Sequence, residues 1–160
     1  MDTEIKFGTG GWRAVIGEDF TRENVRRVAA GVARLIHKEG KTDMPVMIGY
    51  DRRFLSSDAA VWVAEVLAAH DIKVFLMQRS APTPLVMHTV KDQNLHYGIE
   101  ITASHNPSNY NGIKLIVAEG RDADVNTTKM LESFIPKYND FKYNYVCYLI
   151  RCMAPVHIRC

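Results

Sequence analysis

Apolar residues recur along the chain with two different periods, and each change of period marks an element. Val25, Val28, Ala29, Val32, Leu35 and Ile36 fall three and four apart, the stripe of a helix with one face toward a core. Thr21 stands where a cap is needed and Gly40 where such a helix ends, which predicts a helix over 21–39. The apolar run 46–50, V-M-I-G-Y, follows Pro45 and is too short for a helix, so it reads as a buried strand. A second helix is predicted over 57–70 with Ser57 as its cap, then a short strand over 72–77. Thr83 and Pro84 fit the cap and first position of a third helix that runs to Asp92. Residues 97–103 alternate and are rich in β-formers, 113–118 form a return strand, and a last helix runs from Asp124 or Asn126 to Ile135.

The order α-β-α-β-α-β-β-α implies right-handed crossovers and a three-layer α/β/α domain. Its sheet is expected to be mixed and mostly parallel, with about four strands, the return strand after Asn111-Gly112 adding an antiparallel edge. Asn-Gly is a strong tight-turn signal. This reading covers a domain over 1–135. Residues 136–160, rich in Tyr and Cys, show no period and read as a separate tail, the product of a truncated or frameshifted frame or a poorly ordered end.

Composition narrows the function classes. The 160 residues are 47% hydrophobic and 24% charged, with a net charge of +2, ordinary values for a globular domain. No basic run or aromatic-basic interleaving argues for nucleic acid, and no apolar stretch reaches the roughly 20 residues that span a bilayer. The charged N-terminus lacks the apolar core of a signal peptide, so the expected location is cytoplasmic. The odd count of Cys147, Cys152 and Cys160 does not suggest a disulfide framework, and Cys152 with His157 lacks zinc-site spacing.

The chemistry concentrates in T-A-S-H-N-P-S-N-Y-N-G-I-K, residues 102–114. It puts a hydroxyl (Ser104), an imidazole (His105) and several amides after a strand, with Lys114 beyond the turn. By residue type alone, this is equally a plain hairpin loop. A serine hydrolase fits poorly, because nucleophile and base are seldom adjacent in sequence and no G-x-S-x-G elbow is present. In open α/β sheets ligands sit at the carboxyl ends of strands, where residues 51–53, 78–80 and 104–105 all fall. The glycine-rich segment 7–13 fails as a dinucleotide fingerprint and reads as a flexible turn.

T-A-S-H-N-P followed by N-G-x-K resembles the phosphoserine loop of the α-D-phosphohexomutases, the phosphoglucomutase/phosphomannomutase family. F-G-T-G-G-W-R at 7–13 and G-Y-D-R-R-F at 49–54 extend the resemblance, in order, over residues 4–135. It implies that Ser104 carries a phosphoryl group exchanged between the 1- and 6-positions of a hexose phosphate through a bisphosphate. His105, Lys114 and Arg13 would complete the catalytic set, and Thr102, Asn106, Asn111, Arg52 and Arg53 would bind substrate or hold the phosphoserine loop. It also implies Mg²⁺ on a phosphoryl oxygen of Ser104, with its other ligands on a D-x-D-x-D loop of another domain. Asp122 and Asp124 resemble that loop only faintly and read as loop and helix-cap residues. The family carries four domains, so the missing domains of the same enzyme are expected partners, alongside hexose phosphate and bisphosphate. Two classes stay open: the first domain of a mutase, and a non-catalytic phosphoprotein, binding domain or inactive gene fragment that retains the fold.

Overall fold

The computed structural model describes residues 4–8, 10–137 and the backbone of a short strand at 151–153. It has the expected α/β/α architecture. Helix α1, Arg22–Lys38, is capped by Thr21, whose Oγ1 accepts from the Asn24 amide at 3.2 Å. It ends at Glu39, and Gly40 follows with φ of +67°, the left-handed step that glycine takes without strain. Strand β2, Val46–Tyr50, helix α2, Ser56–Ala69, and strand β3, Val74–Met77, come next. Helix α3, Thr83–Asp92, strands β4, Tyr97–Ile101, and β5, Tyr110–Val117, and helix α4, Val125–Phe134, complete the predicted series.

The sheet is larger than the expected four strands. Three short strands join it: β1, Trp12–Val15, β6, Arg121–Asp122, and β7, Arg151–Met153. The order is β1-β5-β4-β2-β3-β7, with β6 on the far half of β5. β4, β2, β3 and β7 run parallel, whereas β1, β4 and β6 each pair antiparallel with β5. The return strand is therefore interior, since β1 pairs along its outer side. Segment 7–13 does turn, with Gly8 and Gly11 exchanging backbone hydrogen bonds, but its last two residues, Trp12 and Arg13, enter the sheet. Each added strand is only two to four residues long, too short to show alternation.

Asn111-Gly112 is not a turn. Both residues lie within β5, paired with Ala14 and Arg13 of β1. A Cβ on Gly112 would sit 2.2 Å from the Trp12 carbonyl oxygen and 2.9 Å from that of Thr102, so glycine here serves a close approach of three backbones. Two caps also differ. Helix α2 begins at Ser56 after Leu55, which has φ of +64° and gives no side-chain cap, and α3 is entered from Pro82.

The two faces of the sheet are unequally covered. α1 and α2 pack on one face over Ile48, Ile99, Ile101, Ile113 and Leu115, with α4 against α1. Arg26 of α1 pairs with Glu65 of α2 at 2.8 Å, and Arg27 donates to the Pro136 carbonyl at 2.8 Å, fastening the segment after α4. On the other face α3 alone contributes Val86 and Val90 over Met47 and Ile116. That leaves the carboxyl edge of the α3 face for polar side chains.

Candidate functional site

The polar edge is organised by Arg53, just past β2. Its guanidinium donates to four carbonyl oxygens of the serine loop: Ser104 at 2.9 Å, Asn106 at 2.7 Å, Pro107 at 2.7 Å and Tyr110 at 3.1 Å. Asp51 holds the arginine from behind at 3.3 Å and also accepts from the Arg53 amide and the Ser56 hydroxyl. A planar fork with five N–H donors suits this multiple contact, and a lysine would not reproduce it. With its donors directed at backbone, Arg53 is a loop clamp.

Asn111 does similar work from the other side. It is fully buried, donates to the Phe54 carbonyl at 3.0 Å and Ser56 Oγ at 2.9 Å, and accepts from the Gly112 amide at 2.8 Å. Thr102 accepts from the Ser104 amide at 2.9 Å, and the Asn106 amide donates to the Ala103 carbonyl at 3.1 Å. These bonds hold Ser104 at φ of +58°, left-handed backbone that a non-glycine residue enters only when its surroundings enforce it. The serine is exposed at the crest of the loop, with His105 exposed beside it.

Arg13 and Lys114 meet on the α3 face. Arg13 pairs with Gly112 and Lys114 with Glu100, so these side chains and Thr102 share one side of the sheet. A Cβ on Gly10 would lie 3.6 Å from an Arg13 guanidinium nitrogen and 3.8 Å from the Lys114 chain, which places both cations under the same glycine. Lys114 also binds both carboxylate oxygens of Asp122, at 2.9 and 3.1 Å.

Sequence reasoning missed Glu100. It is fully buried, and neither carboxylate oxygen has a hydrogen-bond partner. Burial pushes its carboxyl up to about 8, the Asp51 carboxylate pushes the same way, and Lys114 pulls back. Its position in an apolar-looking strand gave no signal beyond a lone charge in Y-G-I-E-I. Arg79, exposed past β3, was noted only as part of a strand end.

The described residues do not by themselves assemble a Mg²⁺ site. No cluster of three His, Cys, Asp or Glu side chains occurs among them. Asp122 is engaged by Lys114, and Asp124 accepts from the Thr127 amide at 2.7 Å as the cap of α4. Cys147, Cys160 and His157 lie outside the described residues, as do the side chain of Cys152 and most of the predicted tail.

An α/β/α layer presenting a strained serine at the carboxyl edge of a mixed sheet defines the class. The family described as phosphoglucomutase/phosphomannomutase, alpha/beta/alpha domain I, matches residues 4–142, and the chain belongs to it. The phosphoglucomutase of Staphylococcus aureus (strain USA300) is 35% identical over 144 residues, which cover 88% of this chain and 26% of that protein. A crystal structure of a phosphomannomutase from Thermus thermophilus matches with a TM-score of 0.81 and 34% identity, over 85% of this chain and 31% of that one. The open form of pp63/parafusin from Paramecium shares the fold at 21% identity, with a TM-score of 0.71, over 84% of this chain and 26% of that one. The chain thus spans 26% to 31% of the length of these relatives. Among the described residues no helix is long and apolar enough to cross a membrane.

Proposed function

We propose that Ser104 is the phosphoryl carrier of a phosphohexomutase, an intramolecular phosphotransferase acting between hexose 1-phosphate and hexose 6-phosphate. The observation that carries this reading is the strained, exposed Ser104 on a loop whose carbonyls are clamped by Arg53. Phosphoryl transfer asks a protein mainly to fix the in-line oxygens and to offset charge. The clamp does the first. Arg13 and Lys114 supply charge for the second, and His105 stands beside the serine.

In the exchange, the Oγ–P bond of phosphoserine breaks as a P–O bond to a sugar hydroxyl forms, giving a bisphosphate. The hydroxyl loses one proton and Ser104 Oγ gains one, so the step is proton-neutral. The bisphosphate turns over and its other phosphate returns to Ser104. Thr102, Asn106 and Asn111 act through the loop's shape. Mg²⁺ remains an expectation whose ligands beyond Ser104 would come from elsewhere in such an enzyme. A cytoplasmic location is likewise part of this proposal.

The test grafts residues 4–137 into the Staphylococcus aureus phosphoglucomutase in place of the matching domain. After incubation with glucose 1,6-bisphosphate, intact mass and peptide mapping should find one phosphoryl group on Ser104. Label on Ser80 or Ser108 with none on Ser104 would sink the assignment.

A further inference from the structure

A second opening lies beside the serine loop. A cavity of about 580 Å³ sits past the ends of β2 and β3, lined by Tyr50, Arg52, Arg53, Ser57, Arg79 and Ser80, with Asp51 at its wall. Its volume falls within the roughly 300–1,000 Å³ of small-molecule sites. The charges do not cancel. Asp51 is taken up by Arg53 at 3.3 Å, and Arg53 in turn by the loop carbonyls. Arg52 and Arg79 remain, and neither has a carboxylate partner among the described residues. Arg52 Nε donates to Ser80 Oγ at 3.4 Å, which ties the two strand ends together.

The rest of the lining adds donors. Ser57 is the second residue of α2, a helix of 14 residues whose cap position, Leu55, offers no side-chain acceptor. The Ser56 amide is taken by the Arg53 carbonyl at 3.1 Å and Asp58 stands in the first turn, so the helix start adds at most the Ser57 amide to this wall. The hydroxyls of Ser57 and Ser80 complete a cavity lined by two guanidinium forks and two hydroxyls. Forks of this kind match the oxygens of a phosphate dianion better than a single carboxylate.

We propose that this cavity is a phosphate-binding subsite, taking the phosphomonoester of a small phosphorylated metabolite through Arg52, Arg79, Ser57 and Ser80. It is separate from the Ser104 loop and needs no turnover there. Arg53 is the shared wall, so an occupied subsite bears on the clamp that holds the serine.

The experiment titrates the 160-residue chain at fixed ionic strength with inorganic phosphate, glucose 6-phosphate and glucose, following backbone amides and arginine Nε–H groups by NMR. Both phosphates should bind saturably and shift the Arg52 and Arg79 Nε–H signals and the Ser57 amide, and glucose should shift none. Tighter binding of glucose 6-phosphate than of inorganic phosphate would assign the occupant to the sugar ester, and equal binding to phosphate itself. Arg79→Gln and Arg52→Gln should each weaken binding about tenfold or more, roughly one lost charge-assisted contact. Arg79→Lys should weaken it less, and Ser104→Ala should leave it within about twofold, a difference under 0.5 kcal/mol. Both arginines are exposed, and a melting curve for each variant confirms the fold. Absence of saturable binding at millimolar phosphate, or shifts confined to Gly10, Arg13 and Lys114, would overturn the subsite.

Discussion

Glu100 shows how far a single residue can set a property of the site. A carboxylate without hydrogen bonds costs several kcal/mol to bury, so the native state keeps the acid neutral. Its carboxyl rises from an ordinary 4.5 to about 8 through burial first and the nearby Asp51 charge second. A raised value means that the folded chain holds a proton which the unfolded chain releases. Its contribution to stability is then full below pH 4.5 and lost as pH rises through about 8. The predicted loss is on the order of 3–5 kcal/mol across that window. Urea titrations at pH 5 and pH 8.5 should show it, and Glu100→Gln should flatten the slope. A variant as pH-sensitive as the parent would mean that another group carries the effect. Nothing in Y-G-I-E-I foretold this, because burial of a strand charge depends on neighbours brought in from β2 and α3. Gly49 is one of them: a Cβ there would lie 2.4 Å from a Glu100 carboxylate oxygen and 2.3 Å from a Val86 methyl.

Among the elements, β5 joins fold to site. It carries Asn111, Gly112 and Lys114, and receives β1 on its outer side and β4 on its inner side. Gly112→Ala should cost roughly 1–3 kcal/mol or more, since the new methyl meets backbone oxygens that cannot give way. Gly17 is the control, with nothing within 4 Å of a Cβ but φ of +86°, so Gly17→Ala should cost about 1 kcal/mol from backbone strain alone. Chemical denaturation of both decides the matter, and equal losses would remove the close-packing account of Gly112. The element also marks the limit of sequence reading. Helix α1 was legible because its apolar stripe repeats from Val25 to Ile36, and α3 and α4 because Pro84 and Asp124 mark their starts. Asn111-Gly112 was misread because the same dipeptide serves a tight turn or a crowded strand, and only the partner strand tells which. β1 was hidden by its neighbours Gly10 and Gly11. The resemblance led to the expectation that Arg53 binds substrate or holds the serine loop. Which of the two it does depends on where the loop carbonyls point, and four of them accept from its guanidinium.

For the whole molecule the decisive fact is coverage: the chain corresponds to 26% of the Staphylococcus aureus phosphoglucomutase that it resembles. Among the described residues the site has one wall, the carboxyl edge of the sheet. Catalysis by positioning requires attacking and leaving oxygens to be held together, and a bisphosphate that must turn over needs an enclosed space. We therefore predict that the 160-residue chain does not by itself interconvert hexose phosphates. Purified chain, Mg²⁺, glucose 1-phosphate or mannose 1-phosphate and a trace of the matching bisphosphate should form no 6-phosphate above a Ser104→Ala control. The same preparation, shown to be folded by its melting curve, should still bind inorganic phosphate at Arg52 and Arg79, because that subsite lies within the described residues. Lys114 bears on the outcome too. Its ion pair with Asp122 neutralises it while no phosphosugar is held nearby, and a partly exposed pair of this kind is worth about 1 kcal/mol or less. A phosphoryl group on Ser104 would compete for that lysine, which a one-walled site gives no means of holding in line. Turnover above the Ser104→Ala control would show that one wall suffices and would overturn this reading of the chain.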